Sequence, residues 1–111
     1  MGYDDSSRDA WLRLLDLLEP NERGNRSRIA RRSGLNTGTV NLWYLGGRMP
    51  GIEAITAVCE GYNINILEGL IAAGFVPVEV AWPALNAASR LRMKSIGAAT
   101  VDDRGKLVIE A

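Results

Sequence analysis

Ala30, Gly34, Leu35, Val40 and Trp43 constrain what this chain can fold into more than any other feature of it. A small side chain midway along one helix lets a second helix cross it closely, and a glycine four residues on can take the left-handed conformation that turns the chain sharply. Leu35, Val40 and Trp43 then recur at the spacing that pins a second helix to a core along one row and leaves the opposite row free. The pattern is that of a helix-turn-helix.

Charge is patterned around this stretch. The 111 residues carry 13 basic and 13 acidic side chains, so the formal charge is zero and a net-charge criterion for nucleic-acid binding would pass the chain over. Between Glu22 and Glu53, however, stand six arginines and no acid. Residues 1–22 hold two bases against six acids, residues 53–89 four acids and no base, and residues 90–111 five bases against three acids. A field arranged in this way confines attraction for an anionic partner to one segment.

Composition narrows the function classes. A hydrophobic content of 47% over this length supports one modest core with a small appendage. The single cysteine, Cys59, excludes an internal disulfide and a cysteine cluster, and the lack of histidine removes the commonest catalytic base and zinc ligand. With no nucleophile motif and no phosphate loop, the expectation is a protein that is not an enzyme and that needs no cofactor, metal or small-molecule ligand. No apolar run approaches a membrane span and the N-terminus lacks the features of a signal peptide, so a soluble cytoplasmic protein is expected.

Helical periodicity runs through the first two thirds of the chain. Ser6 or Ser7 can open a helix over about 7–19 with Trp11, Leu14, Leu15 and Leu18 inward and Pro20 beyond its end. Gly24 or Asn25 can cap a second over about 26–33, with Ile29 and Ala30 inward, and Asn36 a third over 37–45 that ends at Gly46-Gly47. After the loop at Arg48-Met49-Pro50-Gly51, Ile52, Ile55, Ala57, Val58 and Cys59 mark the buried face of a fourth. Ile66, Leu67, Leu70 and Ile71 mark that of a fifth, over about 65–73.

Residues 7–75 thereby resemble the five-helix DNA-binding domain of lambda-repressor-like (Xre or Cro/C1) regulators. The likeness rests on Ala30 and Gly34 at the crossing, Val40 and Trp43 in the third helix, Gly47 and Pro50 in the following loop, and Leu67 and Leu70 in the closing helix. It implies a transcriptional repressor that binds double-stranded operator DNA, similar to temperate-phage immunity or Cro-like repressors, and with it a place in the bacterial host cytoplasm, at the nucleoid through DNA binding; an antitoxin that autoregulates its operon is the alternative. A protein-interaction module that has lost DNA contact fits an acid-free arginine window poorly. Two departures stand out: Asn25-Arg26 replaces the glutamine common at the start of the second helix, and Gly38 lies inside the recognition helix, where it costs about 1 kcal/mol relative to alanine.

The contact residues follow from the period of the third helix. Asn36, Thr37, Gly38, Asn41 and Leu42 lie on the arc away from Val40 and Trp43 and are the candidates for base contact, with Leu45 at the end of that arc. Asn41 leads, because its amide can bond an adenine through both polar atoms, a contact worth ~1–3 kcal/mol of discrimination. Phosphate contact is expected from Asn25, Arg26, Arg28, Arg32, Thr39, Tyr44 and Arg48 and from backbone N–H groups at helix N-termini. For Tyr44 core packing is an equal reading, Arg31 and Arg32 can equally be solvated surface, and Trp11 and Trp43 read as core anchors.

The last third is read as a dimerisation element. Val76-Pro77 and Trp82-Pro83 punctuate the chain before a sixth helix of about 83–96, and Asp102-Asp103-Arg104-Gly105 between two apolar runs predicts a β-hairpin over about 98–109. The fold class is therefore mainly α: a five-helix unit (1–75) followed by a helix and hairpin (76–111). Trp82, Leu91, Ile96, Val101, Leu107 and Ile109 are the expected contacts of a homodimer, whose two-fold would match operator half-sites; a hairpin folded back on its own domain is the other reading. The tail is shorter than the self-cleaving domain of larger repressors of this type, so induction by self-cleavage is not expected.

Overall fold

The computed structural model describes residues 5–20 and 23–109, and side chains from Arg8 onward. Ser6 and Ser7, expected to open the first helix, lie inside it, since it already runs from Asp5. Helix α1 (Asp5–Leu18) buries Trp11, Leu14 and Leu15 completely and turns Asp9 and Asp16 outward, as its 3.6-residue pattern dictates. Helices α2 (Asn25–Ser33) and α3 (Thr37–Leu45) form the crossing read from the sequence. Gly34 is left-handed at φ 69°, and the Leu35 N–H bonds the Ala30 carbonyl at 2.8 Å, which closes α2 and turns the chain into α3.

Helices α4 (Ile52–Gly61) and α5 (Ile66–Ala72) complete the support. Two glycines set how closely they pack. A Cβ on Gly61 would stand 2.5 Å from the Arg32 carbonyl oxygen, so α4 ends against the backbone of α2. One on Gly69 would meet Ile55 Cγ2 at 2.6 Å and Cys59 Sγ at 2.8 Å, so α5 lies directly on α4. Ile52 and Ile66, expected to face inward, are exposed instead, because each is the first residue of its helix and precedes the turn that touches the core.

The C-terminal third corrects the sequence reading. The helix expected over 83–96 is present but starts later, as α7 (Ala87–Ser95), and is preceded by α6 (Val78–Ala81) and a 3-10 turn (Trp82–Ala84), making seven α-helices among the described residues. Pro77 starts α6, Leu85 is extended, and Asn86 caps α7 by accepting the Ser89 N–H at 2.8 Å. No strand forms among the described residues, so the β-hairpin is also corrected. Ala98 and Ala99 both bond the Met93 carbonyl to close α7, which leaves only one antiparallel bridge, Val101 to Leu107, around a turn whose Arg104 and Lys106 N–H groups the Asp102 carboxylate accepts at 2.9 Å. Nor does the apolar core close at the fifth helix, since Ala81, Leu85, Met93, Ile96 and Ala99 belong to the same buried cluster as Trp11, Val40 and Trp43.

Candidate nucleic-acid interface

Helix α3 is held from beneath and bare above. Val40 and Trp43 are buried, and the Trp43 indole meets Trp11 edge to face at 5.4 Å and 78°. Asn36, Thr37, Gly38, Leu42 and Leu45 are exposed, Asn41 and Thr39 half-buried. Nothing on α3 is charged. The surface it offers is a short row of hydroxyl, amide and methyl groups, which is the chemistry that reads base edges.

Asn36 has a local task as well. Its Oδ1 accepts the Gly38 N–H at 2.7 Å and caps α3. A Cβ on Gly38 would touch only that oxygen, at 3.0 Å. The same cap exists on α5, where Asn65 Oδ1 accepts the N–H of Leu67 at 2.9 Å, so the motif admits a full side chain at this position. The fold therefore does not demand glycine at residue 38. Its exposed site is one where a missing side chain lets an outside surface approach the backbone.

The arginines sort by what lies within reach. Arg28 pairs with Glu19 at 2.9 Å, and Arg32 donates to the Gly61 carbonyl at 3.2 Å and lies 4.4 Å over the Tyr62 ring. Both are expected on phosphates, and each also has a partner within the chain: Glu19, just past α1, for Arg28 and the end of α4 for Arg32. The Tyr62 hydroxyl donates to Glu19 at 2.8 Å, and that bond, followed by Arg28, holds the Glu19 carboxyl below its ordinary value against the opposing effect of burial. Arg31 and Arg48 are exposed, and Arg26 is half-exposed at the rim of α3.

Asn25 and Tyr44 are structural rather than free. Asn25 is buried, and its Nδ2 faces the Tyr44 hydroxyl at 3.4 Å, so only its backbone at the start of α2 is left for an anion. The Tyr44 hydroxyl donates to Asp16 at 2.9 Å; burial first, then that bond, raises the phenol's affinity for its proton. Arg26 lies 4.6 Å over the Tyr44 ring and donates to Asn41 Oδ1 at 3.4 Å. Beside it, Gly24, Asn25, Arg26, Ser27, Thr37 and Asn41 border a recess of about 350 Å³ between the start of α2 and the first turns of α3.

No family model, curated protein or solved structure matches the chain. Two residues that orient α3 escape a reading of local sequence altogether. Arg8 donates to the Tyr44 carbonyl at 3.2 Å, at the C-terminal end of α3, while Asp16 holds the other end of the same tyrosine. Both lie on α1, 36 and 28 positions away, where helical spacing identifies only the buried face.

The residues expected at a dimer contact divide. Ile96 is 2% exposed and belongs to the chain's own core, so it is removed from that set. Leu107 packs against the same core. Leu91 and Ile109 are exposed at 61% and 65%, together with Val80 at 68% and Val108. Trp82 lies under Arg90, 5.0 Å from its guanidinium, and lines a recess with Leu91 and Val101. No helix among the described residues is long and apolar enough to cross a membrane.

Proposed function

We propose that this protein is a sequence-specific double-stranded DNA-binding repressor of the lambda-repressor-like kind, which lays α3 in the major groove and occludes a promoter. One observation carries the reading: an uncharged helix, fixed along its buried row and bare along the other, has Arg26 and Arg31 exposed or half-exposed on the helix before it and Arg48 exposed in the loop after it. Base edges are read by neutral donors and acceptors, whereas phosphates are held by cations at the rim. Gly38 adds to this, since a backbone left bare without an internal reason suits close approach to a groove.

A second copy supplies the other half-site. Leu91, Ile109 and Val80 form the apolar surface for it, and the two recognition helices would then meet half-sites about one helical turn, ~34 Å, apart. In the full-length chain, Leu91→Asp is expected to shift sedimentation from dimer to monomer, and unchanged mass would remove α7 from the interface.

Salt dependence tests the electrostatic part. With Arg26, Arg31 and Arg48 taken as the phosphate contacts, log affinity against log salt is expected to fall with a slope of roughly −3 per protomer. Anisotropy of a labelled duplex from the gene's own upstream region, titrated at several salt concentrations, measures it. Binding that is absent, or that ignores salt, contradicts the proposal.

A further inference from the structure

The glycine at residue 38 has a cost and no internal cause. It lies in the first turn of α3 without a positive φ, where alanine is the better helix former. A Cβ there would meet only the Asn36 cap oxygen, and α5 carries the same cap with a leucine at the matching position. Leu42, one turn further along the same row, lies against Gly47 instead, its Cδ2 3.3 Å from the place of a Cβ on that residue. Room for one methyl group therefore stands open on the exposed row of α3.

What fits there follows from what the backbone still offers. The Gly38 N–H already donates to Asn36 Oδ1 at 2.7 Å, so it is taken from any phosphate or base acceptor. Within a helix the carbonyl is bonded four residues on, and no side chain of α3 is charged. The position thus presents Cα hydrogens with the exposed Leu42 on the same row, which makes it an apolar notch. The one apolar group that a base pair displays in the major groove is the C5 methyl of thymine. Resting on the proposed DNA-binding function, we infer that Gly38 is a specificity-determining residue whose bare backbone seats a thymine methyl. A Cβ and a C5 methyl are the same size, so one excludes the other.

Uracil lacks that methyl and keeps the O4 acceptor and the pairing with adenine. The experiment takes a duplex enriched from a random pool by the full-length chain, replaces its thymines with uracil one at a time, and measures the affinity of the unchanged chain and of Gly38→Ala for each. At one thymine per half-site the replacement is expected to cost the unchanged chain about fourfold, the effect of one buried methyl group. Gly38→Ala is expected to bind the thymine duplex about tenfold more weakly, as overpacking predicts, and to recover when uracil stands at that same position. Its thermal midpoint should be no lower than that of the unchanged chain, so that weaker binding is not loss of fold.

Equal costs of uracil in the two chains at every thymine would overturn the inference and leave the DNA-binding reading intact, as would unweakened binding of the thymine duplex by Gly38→Ala. A lower thermal midpoint for Gly38→Ala would also overturn it, by giving the glycine a cause inside the fold. If the unchanged chain enriches no sequence at all, both the inference and the function beneath it fall.

Discussion

The α5–α7 junction and the α2–α3 face use the same residue types in opposite ways. At the junction Glu68 is completely buried, accepts the Ser89 hydroxyl at 2.6 Å and takes both a nitrogen at the base of the Arg92 fork and one at its tip, Nη2 at 2.8 Å. Its hydrogen bonds raise the Arg92 pKa against the effect of burial, so the guanidinium stays charged. On the α2–α3 face there is no acid between Glu22 and Glu53, and Arg26, Arg31 and Arg48 keep solvent access. An arginine's role here is decided by whether a carboxylate or carbonyl lies within its reach. Arg28 is the intermediate case, on α2 by sequence but held by Glu19, just past the end of α1.

Breaking the junction should produce the largest effect. Glu68→Ala leaves Arg92 and Ser89 facing an apolar cluster and is expected to cost about 2–4 kcal/mol, read as the denaturant midpoint at constant slope. Because the pair lies away from α3, the folded fraction should bind DNA as before. Next in size is Gly61→Ala, whose Cβ would press into the Arg32 carbonyl from 2.5 Å, at about 1–3 kcal/mol. It pushes on the end of α2, so it should weaken DNA binding as well as stability, which distinguishes it from Glu68→Ala.

Substitutions on the face itself should leave stability alone. Arg48→Ala is expected to reduce the salt slope by about 0.9, whereas Arg28→Ala and Arg92→Ala should not change it. An equal change from Arg28→Ala would erase the distinction between tied and free arginines. The smallest effect concerns Glu19. Its folded pKa is lowered, so its contribution is complete above the ordinary glutamate value of about 4.3 and is lost as pH falls through the lower, folded value. Glu19→Gln should therefore flatten stability against pH only on the acid side, by less than about 1 kcal/mol.

The legible parts of the fold are those whose signal is local. Helix α3 runs from 37 to 45 as its Asn36 cap and Gly46 stop predict, and the Trp11 and Trp43 anchors are buried as periodicity requires. Two misreadings came from signals that compete within a few residues. Pro83 looks like the first residue of a helix, but Asn86 is the stronger cap; the run from Ala98 looks like a strand, but its first N–H groups close α7. The partners of Arg28, Tyr44 and Glu68 belong to a third class. They lie 9, 28 and 24 positions away, with their residue types visible in the sequence and their pairing decided only by how helices pack. Glu68 reads as one more acid on a solvated flank, and it is the most buried charge described.

The central claim is that α3 reads DNA sequence, and selection of duplexes from a random pool by the full-length chain tests it most directly. The account predicts enrichment of a short A·T-leaning motif, repeated about one helical turn apart and lost at one base pair per half-site in Asn41→Ala. A pool that stays random after repeated rounds at low salt, with the protein folded throughout, would contradict it.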